Sequence, residues 1–115
     1  MIDSIRDKMC FSNLKTMEEI LSTYCFTAQK FVEDDGSITL SLNEIDLMEN
    51  GTDERETRRK LGESILEYST EYYNEYKLYS HASNRRRHIP YIFKALIMDD
   101  SEQIGDSIQF QSGKE

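Results

Sequence analysis

The stretch from Gly36 to Tyr79 constrains the fold most, because its hydrophobic periodicity changes from that of a strand to that of a helix. Residues 37–43 alternate strictly and place Ile38, Leu40 and Leu42 on one face, which predicts a half-buried strand. Further along, apolar and aromatic residues recur at steps of three and four, which lines one face of an α-helix. The members of this stripe are Leu61, Ile65, Tyr68, Tyr72, Tyr76 and Tyr79. A strand face and a helix stripe joined by a short link bury each other, so we predict an α+β fold.

The strand is predicted to be half of a hairpin. Asp35-Gly36 lies between two strand-like runs, which predicts an antiparallel pair over residues 27–33 and 37–43. After residue 43 two continuations are open. The second strand extends through Glu44 to Met48, or the chain turns and forms a third strand over residues 46–49, which Asn50-Gly51 then ends.

Three helices are predicted around this sheet. The long one covers about residues 53–79 and starts after Thr52, which can cap it, with acidic residues in its first turn. A C-terminal helix covers about residues 89–98, because Pro90 fits only a first helical turn. A short N-terminal helix is predicted from Asn13 to Thr23.

The length of 115 residues predicts a single domain, 1–115. Residues 1–11 are expected to form a loose arm or a short helix, and residues 101–115 a last short strand or a tail. Either end is a candidate for a flexible or partner-binding segment.

The charge balance limits the class of partner. Acidic residues number 22 against 14 basic ones, which gives a net charge of −8. This charge disfavours nonspecific binding to nucleic acid or anionic membranes and suits a basic partner, although acidity also serves solubility alone. No apolar run approaches the ~20 residues that span a bilayer, and we expect a cytoplasmic protein whose Cys10 and Cys25 are reduced.

Exposed tyrosines and glutamates of the long helix are the first candidate contacts. The tyrosines could form a base-stacking platform, but three neighbouring glutamates would repel a phosphate backbone. Surplus tyrosines also mark dimer or partner surfaces, which aromatic residues favour. The candidate partner-binding residues on this helix are Glu67, Glu71, Glu75, Tyr73 and Tyr76.

The second candidate is the basic cluster Arg85, Arg86 and Arg87, followed by His88. A cationic run before a helix opposes the helix dipole, so it needs an acidic match. That match is either a set of glutamates in the long helix or a partner, and a phosphate contact is a further alternative. We therefore include the three arginines among the candidate partner-binding residues.

No catalytic, cofactor or metal site is predicted. His81 and His88 do not have a metal-ligand spacing, and the aspartates have no spacing that selects a two-metal site over a solvated surface. The sequence has no Gly-rich phosphate loop and no nucleophile motif. We expect a protein that is not an enzyme and that needs no cofactor.

Four runs of the chain resemble the RelB-like antitoxins of bacterial type II toxin–antitoxin systems. These runs are residues 33–47, 50–54, 66–73 and 84–91. The hairpin-then-helix part is also similar to HicB antitoxins, and residues 12–21 are similar to the first helix of Phd/YefM antitoxins. The resemblance covers about residues 26–98.

The resemblance implies a small acidic protein that binds and neutralises a basic RelE-type ribonuclease toxin. It also implies a dimer that binds operator DNA. The chain departs from the second implication, because it shows no helix-turn-helix or ribbon-helix-helix pattern and its charge disfavours DNA. The alternative reading is a self-associating structural or adaptor protein without a toxin partner.

Overall fold

The computed structural model describes residue 19 and residues 22–111, which form an α+β fold, as the sequence predicts. Its elements in chain order are β1 (Thr27–Val32), β2 (Ile38–Leu42), β3 (Leu47–Gly51), α1 (Glu54–Asn74), α2 (Tyr76–His81), a 3₁₀ turn (Arg86–His88), α3 (Ile89–Met98), α4 (Ser101–Ser107) and β4 (Gln109–Phe110). None of the helices in the described part of the chain is both long enough and apolar enough to span a membrane.

The strands form one sheet in the order β3-β2-β1-β4. The predicted hairpin is confirmed: β1 and β2 are antiparallel, and Gly36 supplies a positive φ of 87° in the turn. Of the two open continuations, the third strand is the one that forms. The predicted end at Asn50-Gly51 is wrong, because both residues belong to β3. Asn50 pairs with Thr39 and its Nδ2 donates to Thr39 Oγ1 over 2.9 Å, which keeps it in the ladder.

Helix α1 begins with a cap one residue later than predicted. Asp53 is the cap, and its side chain accepts a 2.8 Å hydrogen bond from the Glu56 backbone N–H. Thr52 instead donates from its backbone N–H and its hydroxyl to Glu56 Oε1, over 2.7 and 2.6 Å. The Glu56 side chain thus holds the segment that enters the helix, as in a capping box, except that it accepts from Thr52, the residue before the cap.

The helix predicted over residues 53–79 is interrupted at Glu75, which adopts φ −116° and ψ 43° between α1 and α2. In a straight helix, seven residues rise by about 10.5 Å. The Tyr72 and Tyr79 rings are seven residues apart in sequence, yet they stack with their centroids 5.1 Å apart. The break therefore lets the tyrosine stripe fold onto itself.

The main core lies between the inner face of the sheet and α1. Its buried residues include Phe26, Ala28, Leu40, Leu42, Ile45, Leu61, Ile65, Ala95, Ile104 and Ile108. The predicted helix over residues 89–98 is confirmed, with Pro90 in its first turn.

Helix α4 was not predicted, and it packs closely against α1. A Cβ built on Gly62 would lie 2.3 Å from the Ser101 carbonyl oxygen, and one built on Gly105 would lie 2.7 Å from the Arg58 carbonyl oxygen. Only glycines permit this backbone approach.

The predictions for the two ends of the chain have different outcomes. A last short strand, one of the two expectations for residues 101–115, is present as β4 and runs parallel to β1. Residues 1–11 and most of the predicted helix Asn13–Thr23 lie outside the described residues. Within that predicted helix, the described residues Glu19, Ser22 and Thr23 are helical.

Candidate partner-binding surface

The first half of α1 neutralises its own charge. Glu54 bridges Arg58 and, from β1, Lys30, each over 3.1 Å. One turn further, Arg59 and Glu63 pair over 3.1 Å. The hydrogen bonds from Lys30 and Arg58 hold the pKa of the Glu54 carboxyl below its usual value. The carboxylates of this half thus already have cationic partners.

The second half of α1 has the opposite character. Glu67, Glu71 and Glu75 follow one another at steps of four and are all exposed. They line an open groove of about 800 Å³ together with Glu63, Leu66, Thr70, Asn74 and Ser101. Among the ion pairs of the described residues, none involves these three glutamates, although Glu71 Oε2 accepts a 2.8 Å hydrogen bond from the Tyr79 hydroxyl.

This arrangement disfavours the helix itself. Like charges four residues apart destabilise a helix by roughly 0.2–0.5 kcal/mol per pair. The last turn of α1 contains no basic residue that would complement the negative C-terminal end of its dipole. A cationic partner in the groove would relieve both effects, and this half of α1 is the candidate binding surface. We call it the acidic groove.

The tyrosine stripe divides between the core and the surface. Tyr72 is buried, and its hydroxyl donates to the Arg85 carbonyl over 2.8 Å. Tyr73 and Tyr76 are 36% and 41% exposed, and Leu78 on α2 is 67% exposed. Tyr73 and Tyr76 do not line the acidic groove. They extend the surface around the break at Glu75, where the sequence analysis missed Leu78 because it lies outside the aromatic stripe.

The predicted arginine cluster contacts the rest of the molecule. Arg85 lies over the Tyr68 and Tyr79 rings, with its guanidinium carbon 5.5 and 5.4 Å from their centroids. Arg86 Nε donates to the Ser80 carbonyl over 3.3 Å. In these contacts the cluster holds the turn after α2 against the tyrosines.

Arg87 reaches across to the turn between β2 and β3. It donates to the Glu44 carbonyl over 2.9 Å and pairs with the Asp46 carboxylate over 2.8 Å. The acidic match expected within the chain therefore comes from Asp46, 41 residues away, and not from the glutamates of α1.

His88 is the polar residue of this region that the sequence analysis misjudged, because it is buried and not part of an exposed basic run. Its Nδ1 lies 2.7 Å from the Tyr68 hydroxyl, and its Nε2 lies 3.4 Å from an Asp46 carboxylate oxygen. Burial and the nearby Arg87 cation lower the pKa of His88, and the Asp46 carboxylate opposes them. His88 thus contacts Tyr68 of α1 through Nδ1, while its buried Nε2 faces Asp46 of the β2–β3 turn without a hydrogen-bond partner among the described residues.

Metal binding finds no support in the described part of the chain. No three of its histidine, cysteine, aspartate and glutamate side chains are grouped so that they could hold a metal ion. Around the break at Glu75, the surface carries exposed carboxylates on one side and exposed aromatic side chains on the other.

Two comparisons with known proteins found matches. A family model described as Phd-like, the antitoxin of RelE/RelB toxin–antitoxin systems, matches residues 1–110. A crystal structure described as an antitoxin part of a proposed toxin/antitoxin system from Syntrophomonas wolfei subsp. wolfei is 31% identical in sequence, with a TM-score of 0.75. The match covers 84% of this chain and 70% of that one. A search of curated proteins found no match.

Proposed function

Because the chain belongs to the Phd-like family of antitoxins from RelE/RelB toxin–antitoxin systems, we propose that it binds and neutralises a basic RelE-type ribonuclease toxin in the cytoplasm. The family confirms the antitoxin expectation drawn from the sequence. The ribonuclease target and its contact surface are our proposal.

The single observation that carries the proposal is that three carboxylates of the acidic groove have no ion-pair partner among the described residues. A ribonuclease needs a cationic surface to hold the phosphates of RNA. Glu67 and Glu71 lie about 6 Å apart along one helix face, at 1.5 Å of rise per residue, and Glu75 follows at the end of the helix. They can occupy that cationic surface and exclude RNA from it.

The exposed aromatic area beside the groove would supply the apolar part of the interface. Tyr73, Tyr76 and Leu78 lie on either side of the helix break and leave apolar area in water. Aromatic anchors of this kind carry a large share of binding energy in many interfaces. Arg85, Arg86 and Arg87 are proposed to act beside them by holding the turn after α2, which fixes the position of Tyr79 and Leu78.

The proposal includes self-association of the antitoxin. It gives operator DNA no contact on the acidic groove, since a duplex would be repelled there. The groove and any self-association surface are therefore expected to be separate.

The test uses the product of the toxin-like gene beside this one and the full chain, with affinity measured by titration calorimetry. The variant E67Q/E71Q/E75Q removes three groove charges. Because exposed ion pairs contribute about 0.2–1 kcal/mol each, its affinity should fall roughly 3- to 150-fold. Raising the salt concentration should weaken the wild type more than the variant.

The matched control is E19Q/E33Q/D34N, which removes three exposed charges that lie outside the groove lining and on other elements. Its affinity should stay within about twofold, because charges beyond a Debye length of ~10 Å are screened. An equal loss in both variants would mean that net charge, and not the groove, determines binding. Absence of a toxin-like gene beside this one, or of any complex with its product, would overturn the proposed function itself.

A further inference from the structure

The segment from Tyr76 to His88 lies against the second half of α1, and its helix buries little. It contains α2 and the 3₁₀ turn, and Ser80 is the buried residue of α2. Leu78 in the same helix is 67% exposed. A segment with few buried apolar contacts opens locally at a low free-energy cost. We call residues 76–88 the strap.

Hydrogen bonds join the end of the strap to two tyrosines of α1. The Tyr72 hydroxyl donates to the Arg85 carbonyl over 2.8 Å, and Arg85 Nη1 donates to the Tyr68 hydroxyl oxygen over 3.1 Å. The same Tyr68 hydroxyl lies 2.7 Å from His88 Nδ1. It is therefore shared between a guanidinium and an imidazole.

This sharing indicates which nitrogen of His88 carries a hydrogen. A guanidinium only donates, so Arg85 uses a lone pair of the Tyr68 oxygen and leaves the hydroxyl hydrogen for His88 Nδ1. Nε2 then carries the imidazole hydrogen and faces a carboxylate oxygen of Asp46 at 3.4 Å. The opposite tautomer would set the lone pair of Nε2 against that oxygen. The neutral imidazole with its hydrogen on Nε2 thus fits the site.

A second proton on His88 does not fit this arrangement. Nδ1 would become a donor, so the Tyr68 oxygen would accept from both Arg85 and His88 while its own hydrogen lost its acceptor. The charged groups that act on the imidazole are Arg85 and Arg87 of the strap and Asp46 of the β2–β3 turn. The one carboxylate among these groups is already paired with Arg87 over 2.8 Å. His88 is 1% exposed, so water does not solvate the added charge.

The helix that follows the strap offers no compensation. Helix α3 contains no carboxylate, and its titratable side chains are Tyr91 and Lys94. Both contact the Phe26 ring, with the Tyr91 centroid at 6.0 Å and Lys94 Nζ at 5.8 Å. Neither supplies a negative charge near neutral pH. A charged His88 would therefore be left among cations in a buried position.

We infer that neutral His88 holds the strap closed, and that protonation of His88 releases the strap from α1 while the sheet and the main core stay folded. Burial and the Arg87 cation lower the pKa of His88 in the closed strap. In the open strap the imidazole is in water and titrates near its ordinary value of 6.5. The open form thus binds the proton first, and acid favours opening.

Release would change the proposed partner-binding surface, because the strap contains Tyr79. The Tyr79 hydroxyl donates to Glu71 Oε2 over 2.8 Å, and the Tyr79 ring stacks on Tyr72 with the centroids 5.1 Å apart. Opening would remove both contacts from the second half of α1. The inference goes beyond the proposed function and does not depend on a toxin, since the strap opens within the chain alone.

The test is amide hydrogen exchange of the full chain at pH 7.5 and pH 5.5, corrected for the intrinsic effect of pH on exchange. The reporters are the amides of Arg85, Arg86 and His88, which donate to carbonyls within the strap. Their opening constant should rise by up to roughly tenfold, because opening takes up one proton with a pKa near 6.5. The amides of β2 should not change.

The two histidines of the chain provide a matched pair of variants. H81Q changes the exposed histidine of the strap and should keep the response, whereas H88Q should lose it. A wild type without the response, an equal response in β2, or a response that H88Q retains or H81Q loses would overturn the inference.

A second measurement on the wild type covers the case in which H88Q opens the strap at every pH. The His88 imidazole, followed by NMR, should titrate below its ordinary value of 6.5 and together with the exchange of the strap amides. A titration at or above 6.5, or one that leaves strap exchange unchanged, would overturn the inference. Toxin binding at pH 7.5 tests the proposed function separately, because the strap is closed at that pH.

Discussion

The two halves of α1 differ in what they are built to contact. The first half pairs its glutamates with Lys30, Arg58 and Arg59, and it packs against α4. The second half leaves its glutamates without an ion-pair partner among the described residues, although Glu71 accepts a hydrogen bond from Tyr79, and it ends at the break at Glu75. One helix thus combines a half whose charges are paired with a half whose like charges repel one another. The difference teaches why the second half is the one that we propose as the binding surface, since a cationic partner would relieve this repulsion.

The largest contrast between the halves should come from the packing of single buried side chains. The change G62A in the first half places a Cβ 2.3 Å from the Ser101 carbonyl oxygen, and backbone cannot yield as a side chain end can. The gain in helix propensity, about 1 kcal/mol, offsets only part of this. We expect a loss of about 2–3 kcal/mol in unfolding free energy, which urea titration would measure.

The comparison variant in the second half is S69A. Ser69 is fully buried, and its hydroxyl lacks a hydrogen-bond partner among the described residues. Removing an unpaired buried hydroxyl should leave stability unchanged or raise it slightly. If S69A destabilised the protein as much as G62A, the proposed division of α1 would be wrong.

Sequence patterns predicted the parts of the fold that depend on neighbours in the chain. The hairpin follows from Asp35-Gly36 and the alternation after it, and α3 follows from the position of Pro90. The cap was ambiguous because Thr52 and Asp53 are both good capping residues. Helix α4 was missed because, in its seven residues, Ile104 is the one large apolar side chain.

The parts that could not be predicted depend on distant contacts. Nothing in the sequence at Glu75 breaks a helix, and the break accompanies the stacking of Tyr72 on Tyr79, a contact that helical periodicity does not predict. The spacing of the glutamates located the acidic groove on one helix face. The internal partner of Arg87 could not be found in the same way, because Asp46 lies in a turn between two strands.

A smaller contrast should appear in the pH dependence of stability. Burial, with the nearby Arg87 cation, lowers the pKa of His88, which packs on the second half through Tyr68. The unfolded chain then binds the proton first, so stability should fall as pH drops below the ordinary value of 6.5. In H88Q this fall between pH 7 and 5 should disappear from urea titrations, even though the variant loses the bond to Tyr68.

The glutamates in the first half of α1 should make stability depend on pH in a more acidic range. Hydrogen bonds from Lys30 and from Thr52 lower the pKa values of Glu54 and Glu56 below their ordinary value of 4.5. Their contribution is present above that value and is lost as pH falls through the folded pKa. In E54Q, the unfolding free energy should depend less on pH in the acidic range. Its fall between pH 7 and 5, which we assign to His88, should remain. A wild-type stability that stays constant between pH 7 and 5 would contradict the assignment of the neutral window to His88.

The smallest contrast concerns single charges four residues apart. In the second half, E67K would create i,i+4 pairs with Glu63 and Glu71, each contributing about 0.2–0.5 kcal/mol. The melting temperature should therefore rise by a few degrees. In the first half, E54K would remove the 3.1 Å pairs with Lys30 and Arg58 and place a third cation beside them, so the melting temperature should fall.

These two changes alter the net charge equally, which makes each the control for the other. Opposite signs in thermal unfolding would mean that local pairing decides the effect, since a reduction of total negative charge would move both in the same direction. If both variants gained stability, the total negative charge of the chain would explain the effect. The acidic groove would then no longer be supported as a binding surface. If E67K gains stability while its affinity for the toxin falls, the second half of α1 trades stability for binding.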